Sequence, residues 1–219
     1  MSENRGEKFA GRHPSVADIP ESTLVKAVLE NPHTRGHVLD IYGFPENPIW
    51  RVEVSMEGLP GRRGDVDILA WNEAHPEKAL AIEVKRFKAN VSGSEDDRIN
   101  KMQEYEKGVR QVNRLADIGF ALVWLLVFVL VDSRRQNAEA IAAGKTIYEG
   151  LSPELYGLVN SSLSTSGLDP RVGVMHVEYV QSMDEIPLFG VGTSGVHLVR
   201  MGRSAVQSAA LSEWVRARG

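Results

Sequence analysis

The chain has no cysteine. That absence excludes a disulfide framework, a thiolate zinc site and a cysteine nucleophile, so any metal ion must sit on oxygen or imidazole. It has no apolar run long enough to cross a bilayer either. The longest, Phe120 to Val131, falls short of the ~20 residues a spanning helix needs. The first residues, Met1-Ser-Glu-Asn-Arg-Gly-Glu-Lys8, form no apolar signal core, so a cytoplasmic protein without a membrane partner is expected. Positive charge is not in excess: 25 Lys and Arg stand against 29 Asp and Glu, a net charge of -4. Affinity for phosphate rests on cations that release counterions, so contact with nucleic acid would have to come from local basic clusters. No internal repeat, low-complexity tract, Gly-x-Ser-x-Gly elbow or Walker loop is present.

What remains is a balanced globular composition, 42% hydrophobic and 25% charged over 219 residues, enough for one sizeable core. Residues 1–18 are polar and without apolar periodicity, which predicts a mobile tail. Residues 19–219 are expected to form a single domain with a C-terminal extension from about 150. Leu24, Val25, Val28 and Leu29 predict a short amphipathic helix stopped near Pro32. Period-two alternation predicts strands at Trp50 to Glu57, Asp65 to Trp71 and Ala79 to Phe87. Their short connections suit an antiparallel meander. Ile99, Met102, Tyr105, Val109, Val112 and Leu115 recur at helical spacing, with Gly119 as the stop. The run from Ala121 to Val131, apolar on both faces, reads as a covered central strand. Beyond it the pattern predicts helices around Asn137 to Ala143, Pro153 to Leu163 and Ala209 to Val215, and strands near Val172 to Val180 and Val196 to Arg200. The fold class is therefore α/β, a mixed central sheet flanked by helices on both faces.

Alternation puts Ala81, Glu83, Lys85 and Phe87 on one face of the third strand. In the second strand it puts Asp65, Asp67, Leu69 and Trp71 on one face, with Val66, Ile68 and Ala70 opposite. If the two strands pair, the carboxylates of Asp67 and Glu83 converge beside one ammonium. Two hard carboxylate oxygens suit Mg²⁺. A lysine beside them can orient a water or offset charge on a phosphate. The bland alternative is a same-face ion pair on a solvated strand.

Gly64-Asp-Val-Asp67-Ile-Leu, a turn, then Ala81-Ile-Glu83-Val-Lys85, a long helix and an apolar strand together resemble the PD-(D/E)xK nuclease superfamily. Val66 stands where the proline of that name would be, and the likeness covers roughly Trp50 to Val131. The resemblance implies a restriction-endonuclease-like fold. It also implies a metal-dependent nuclease with Asp67, Glu83 and Lys85 as catalytic residues, and Mg²⁺ or Mn²⁺ on Asp67, Glu83 and the carbonyl of Val84. DNA is the implied partner ahead of RNA, in defence, restriction, repair or recombination, and a homodimer would fit members that pair to cut both strands. A catalytically silent nucleic-acid-binding or protein-interaction module on the same fold is the rival, as is a structural domain with a surface ion-pair network.

Around that core, Gln103, Lys107, Arg110 and Arg114 form a stripe on the long helix, and Arg62, Arg63, Arg86 and Lys88 flank the acids in sequence. All eight are candidates for contact with a nucleic-acid backbone. Glu30 and Glu53 are candidate additional acids. Three other patterns are set aside. Gly190-Val-Gly192-Thr-Ser-Gly195 is followed by a strand and not by the helix a dinucleotide fingerprint requires. His176 and Glu178 lack the cysteines of a deaminase. His33 and His37 fall in a loop beside Pro32 and Gly36.

Overall fold

The structure, a computed structural model, describes residues 15–32, 35–36, 48–59, 64–89, 99–100, 102–145, 157, 159, 161, 165–181 and 193–219. His33 and His37, Arg62 and Arg63, the glycines at 190 and 192 and most of the stretch read as a helix at 153–163 lie outside them; Gly157, Val159 and Ser161 are helical.

Helix α1, Glu21–Glu30, follows Pro20 and stops at Asn31, ahead of Pro32. Strands β1 (Ile49–Ser55), β2 (Asp65–Asn72) and β3 (His75–Ala89) form the expected antiparallel meander. β3 begins earlier than alternation predicts. Asn72 pairs with His75 and its side chain accepts the Ala74 N–H at 2.8 Å, so a tight hairpin replaces the longer turn. Ile99 is not the start of the long helix: Ile99–Asn100 is a short strand, β4, on the end of β3. Helix α2, Met102–Ile118, ends at Gly119, whose φ of 94° lets its N–H reach back to the Leu115 and Ala116 carbonyls. Strand β5 (Leu122–Asp132), helix α3 (Arg134–Ala142), strands β6 (Val172–Gln181) and β7 (Thr193–Arg200) and helix α4 (Ala209–Arg216) complete the chain.

The sheet is mixed, ordered β1-β2-β3-β5-β6-β7, with β4 beside β3. β5 is its middle, parallel to β3 on one side and to β6 on the other. Val123 to Val131 are all buried, which explains why that run shows no alternation. On one face Tyr105, Val112 and Leu115 of α2 and Leu211, Trp214 and Val215 of α4 pack over Leu69, Trp71, Leu125 and Val127. On the other, Leu24, Val25 and Val28 of α1 pack over Ile68, Ile82, Val84 and Leu126. Helices thus cover both faces.

Two boundaries differ from expectation. Val16 is fully buried, its N–H bonded to Gln181 Oε1 at 2.8 Å, and Ser15 Oγ donates to Asp132 at 2.6 Å, so ordered packing begins inside the stretch read as tail. Val16 and Ile19, apolar at helical spacing in a polar segment, are the reason. The region beyond about 150 is no appendage: β6 and β7 are strands of the same sheet and α4 seals its core.

Candidate active site

Strands β2 and β3 part company at the residues of interest. Their pairing runs as far as Ile68 opposite Ile82, and beyond it the Val84 N–H donates instead to Asp67 Oδ2 at 2.7 Å. A side-chain carboxylate has replaced a main-chain partner, which satisfies the amide at the point where the sheet opens. β1 contributes to the irregularity. Val52 pairs with Ile68 and Val54 with Val66, but Glu53 between them has φ 51°, a left-handed conformation that a residue with a Cβ rarely adopts. The alternation expected along β2 breaks at the same level. Val66 packs in the layer of Leu69 and Trp71 rather than opposite them.

Glu83 is 1% exposed and Lys85 8%, so the surface ion-pair reading does not hold. Lys85 Nζ donates to Glu83 Oε1 at 2.6 Å and to the Val84 carbonyl oxygen at 2.7 Å. Its stem lies against α2 at Gly108, where a Cβ would stand 2.7 Å from Lys85 Cγ.

Burial pushes the Glu83 carboxyl up to about 7, Asp67 adds to the rise, and Lys85 offsets part of it. Asp67 is raised as well, by burial first, with Glu53 and Asp65 adding and the Val84 N–H and Lys85 opposing. For Lys85 burial works against the charge. The carboxylates of Glu83, Asp67 and Glu21 outweigh it and hold the ammonium above its ordinary range. These three groups are brought together as the sequence predicted.

A cavity of about 580 Å³ opens between α1 and β1, lined by Glu21, Glu30, Glu53 and Asp67 together with Trp50 and Arg51. Glu53 is thus placed at the site. Glu30 is exposed at the rim, 3.6 Å from Lys26 Nζ. The acid of α1 that acts electrostatically on both Glu83 and Lys85 is Glu21, which sequence reasoning missed. The signal was present: Glu21, Leu24, Val25 and Val28 share one helical stripe, so a carboxylate continues the buried face.

The flanking cations divide. Arg86 and Lys88 do not surround the acids. Alternation sends them to the opposite face of β3, where Arg86 donates to the Ile19 carbonyl and Lys88 lies 3.3 Å from Asp18. They pin the N-terminal turn to the sheet. Lys107 and Arg110 are exposed on α2 and Arg114 is half-buried, and none of the bonds joining Asp67, Glu83 and Lys85 involves them. Gln103 lies on α2, its side chain outside the described residues, as are Arg62 and Arg63.

A second polar group lies across β5. His176 faces His197 on β7, and His197 Nε2 is 3.1 Å from Glu178 Oε1. His176 is 2% exposed, its Nε2 without a hydrogen-bond partner, and burial followed by His197 pulls its pKa down to about 4.

Among the described residues no three His, Asp or Glu side chains form a metal cage. What is present near Asp67 is two carboxylates and a main-chain carbonyl, hard oxygens of the kind Mg²⁺ and Mn²⁺ accept. A cation already fits there, because the Lys85 ammonium rests on two of those oxygens. Also among the described residues, no helix is long and apolar enough to cross a membrane. No family model, curated protein or solved structure matches the chain.

Proposed function

We propose that the protein is a Mg²⁺- or Mn²⁺-dependent nuclease that hydrolyses phosphodiester bonds, in DNA ahead of RNA, on a restriction-endonuclease-like core. The observation that carries this reading is the buried Glu83–Lys85 pair set beside Asp67 where β2 leaves β3. Burying charge in an apolar layer costs several kcal/mol per ion before pairing offsets it, at roughly the scale known for proteins. A solvated strand face would gain nothing from that cost. An opening that must hold a cation next to phosphate does.

Asp67 and Glu83, with the Val84 carbonyl, would hold the ion. When bound, it would supply charge neutralisation on the phosphate and a water of lowered pKa. The protein's own part is geometric and electrostatic. Asp67 is fixed by the Val84 N–H, so its position does not depend on a mobile rotamer. Lys85 brings an ammonium, held charged by three carboxylates, to within reach of the attacking water or a phosphate oxygen. Water adds to phosphorus and gives up a proton to solvent, the bond to the leaving oxygen breaks, and that oxygen takes up a proton from solvent.

The test is cleavage of supercoiled, linear and single-stranded DNA, with an RNA strand beside them, in Mg²⁺, Mn²⁺ or EDTA. Wild type is expected to cut only with metal, and Asp67→Ala and Lys85→Ala to lose roughly a hundredfold or more while staying folded. A folded wild type that neither cuts nor binds either ion in calorimetry would leave the silent-module reading in its place.

A further inference from the structure

Lys85 Nζ rests 2.6 Å from Glu83 Oε1 and 2.7 Å from the Val84 carbonyl oxygen. On the reading above, on which this inference rests, those are two of the three groups that would hold a divalent ion. An ion seated on the same oxygens, on the side where Nζ now rests, would stand within hydrogen-bonding distance of it. Like charges at that separation in a buried layer repel strongly, so the two cations cannot share the place.

The lysine is also held from the far side. Glycine is a poor residue for the middle of a helix. Gly108 nevertheless occupies the seventh position of α2, and a Cβ there would stand 2.7 Å from Lys85 Cγ, 3.2 Å from Cδ and 3.1 Å from Cε. The helix is notched where the lysine stem passes. Cγ lies next to the β3 backbone and has little room to yield, whereas Nζ, at the end of the chain, can turn about the last torsions without disturbing the stem.

We propose that Lys85 is the resident cation of this site. Its ammonium holds the Glu83 and Val84 oxygens until a divalent ion takes them, and entry of the ion releases the ammonium, on a stem seated in the Gly108 notch, toward the opening where β2 leaves β3. Ion binding and presentation of the lysine to a phosphate are then one exchange. Gly108 is a positioning residue in it, acting through Lys85.

The experiment is residue-resolved amine acetylation read by mass spectrometry on the full chain, with and without saturating Mg²⁺ or Ca²⁺, beside calorimetry of the same ions. Lys78, exposed near the β2–β3 hairpin and away from the cavity, is the internal control. Lys85 is expected to label slowly without ion and severalfold faster with it, while Lys78 does not change. Gly108→Ala should raise the ion-free labelling of Lys85, because the new Cβ displaces its stem. If an ion binds and Lys85 labels no faster, the exchange is wrong and the nuclease reading stands. If no ion binds, both fall together. If Gly108→Ala labels like wild type, the notch plays no part and the proposal as stated is overturned.

Discussion

Glu83 is where the chemistry and the stability of single residues meet. An ordinary glutamate titrates near 4.5, and here the carboxyl is pushed up to about 7, chiefly by burial and then by Asp67. Between those two values the folded protein keeps a proton that the unfolded chain has shed. Stability linked to Glu83 is therefore complete below 4.5 and declines as pH rises toward about 7. Activity runs the other way: an ion must displace the Glu83 proton to bind, so cleavage at limiting Mg²⁺ should rise with pH up to about 7 rather than level off near 4.5. Carbon-13 titration of the glutamate carboxyls gives the midpoint directly. In Asp67→Asn the Glu83 midpoint should move down but stay well above its ordinary value, because burial is the larger cause. A midpoint that fell all the way to 4.5 would mean that Asp67, not burial, sets it.

At the scale of elements, the sharpest departure from regular geometry is Glu53, alone in β1 with a φ of 51°. A left-handed conformation costs a residue with a Cβ roughly 1–2 kcal/mol, and such strain tends to be kept at functional sites. Glu53→Gly should raise the stability measured in urea by about 1 kcal/mol. An equal loss of stability would show that the side chain holds the strand together. Much of this architecture was legible in the sequence. Tight connections and alternation sufficed for the β1-β2-β3 meander, and doubly apolar β5 announced its own position. Glu83 and Lys85 share a face because the period along β3 is unbroken. The same alternation sets Arg86 and Lys88 on the opposite face, against the expectation that they flank the acids. Glu21 stands on the α1 stripe, whereas Glu30, the expected extra acid of that helix, lies off it. The break at Glu53 and Asp67 was not legible, because a local left-handed residue reverses faces without leaving any mark in the pattern of apolar residues.

Among the described residues the buried titrations have both signs: the Glu83, Asp67 and Glu178 carboxyls are pushed up, chiefly by burial, and one imidazole is pulled down. His176 is pulled down from 6.5 to about 4, so the stability it confers is present above 6.5 and is lost as pH falls toward 4. At 2% exposure solvent does little to screen it, and a shift of that size corresponds to roughly 3 kcal/mol. Glu83 opposes it between 4.5 and 6.5, where the two slopes offset. Across that window His176 therefore offsets part of the loss that the raised carboxyls cause in wild type. In His176→Asn the urea midpoints should fall more steeply than in wild type as pH rises, exposing the contributions of Glu83, Asp67 and Glu178; a profile parallel to wild type would mean that His176 is not buried as a neutral ring. The parallel pairing of β5 bears on how the chain is made. β3 is joined to β5 across α2, but β6 arrives only after residues 133–171, and no hairpin can supply an earlier partner. A ribosome that has released everything through β5 holds out the most apolar strand of the protein with one edge bare, the kind of edge other strands adhere to. Until β6 emerges, that edge is open to pairing with a neighbouring chain.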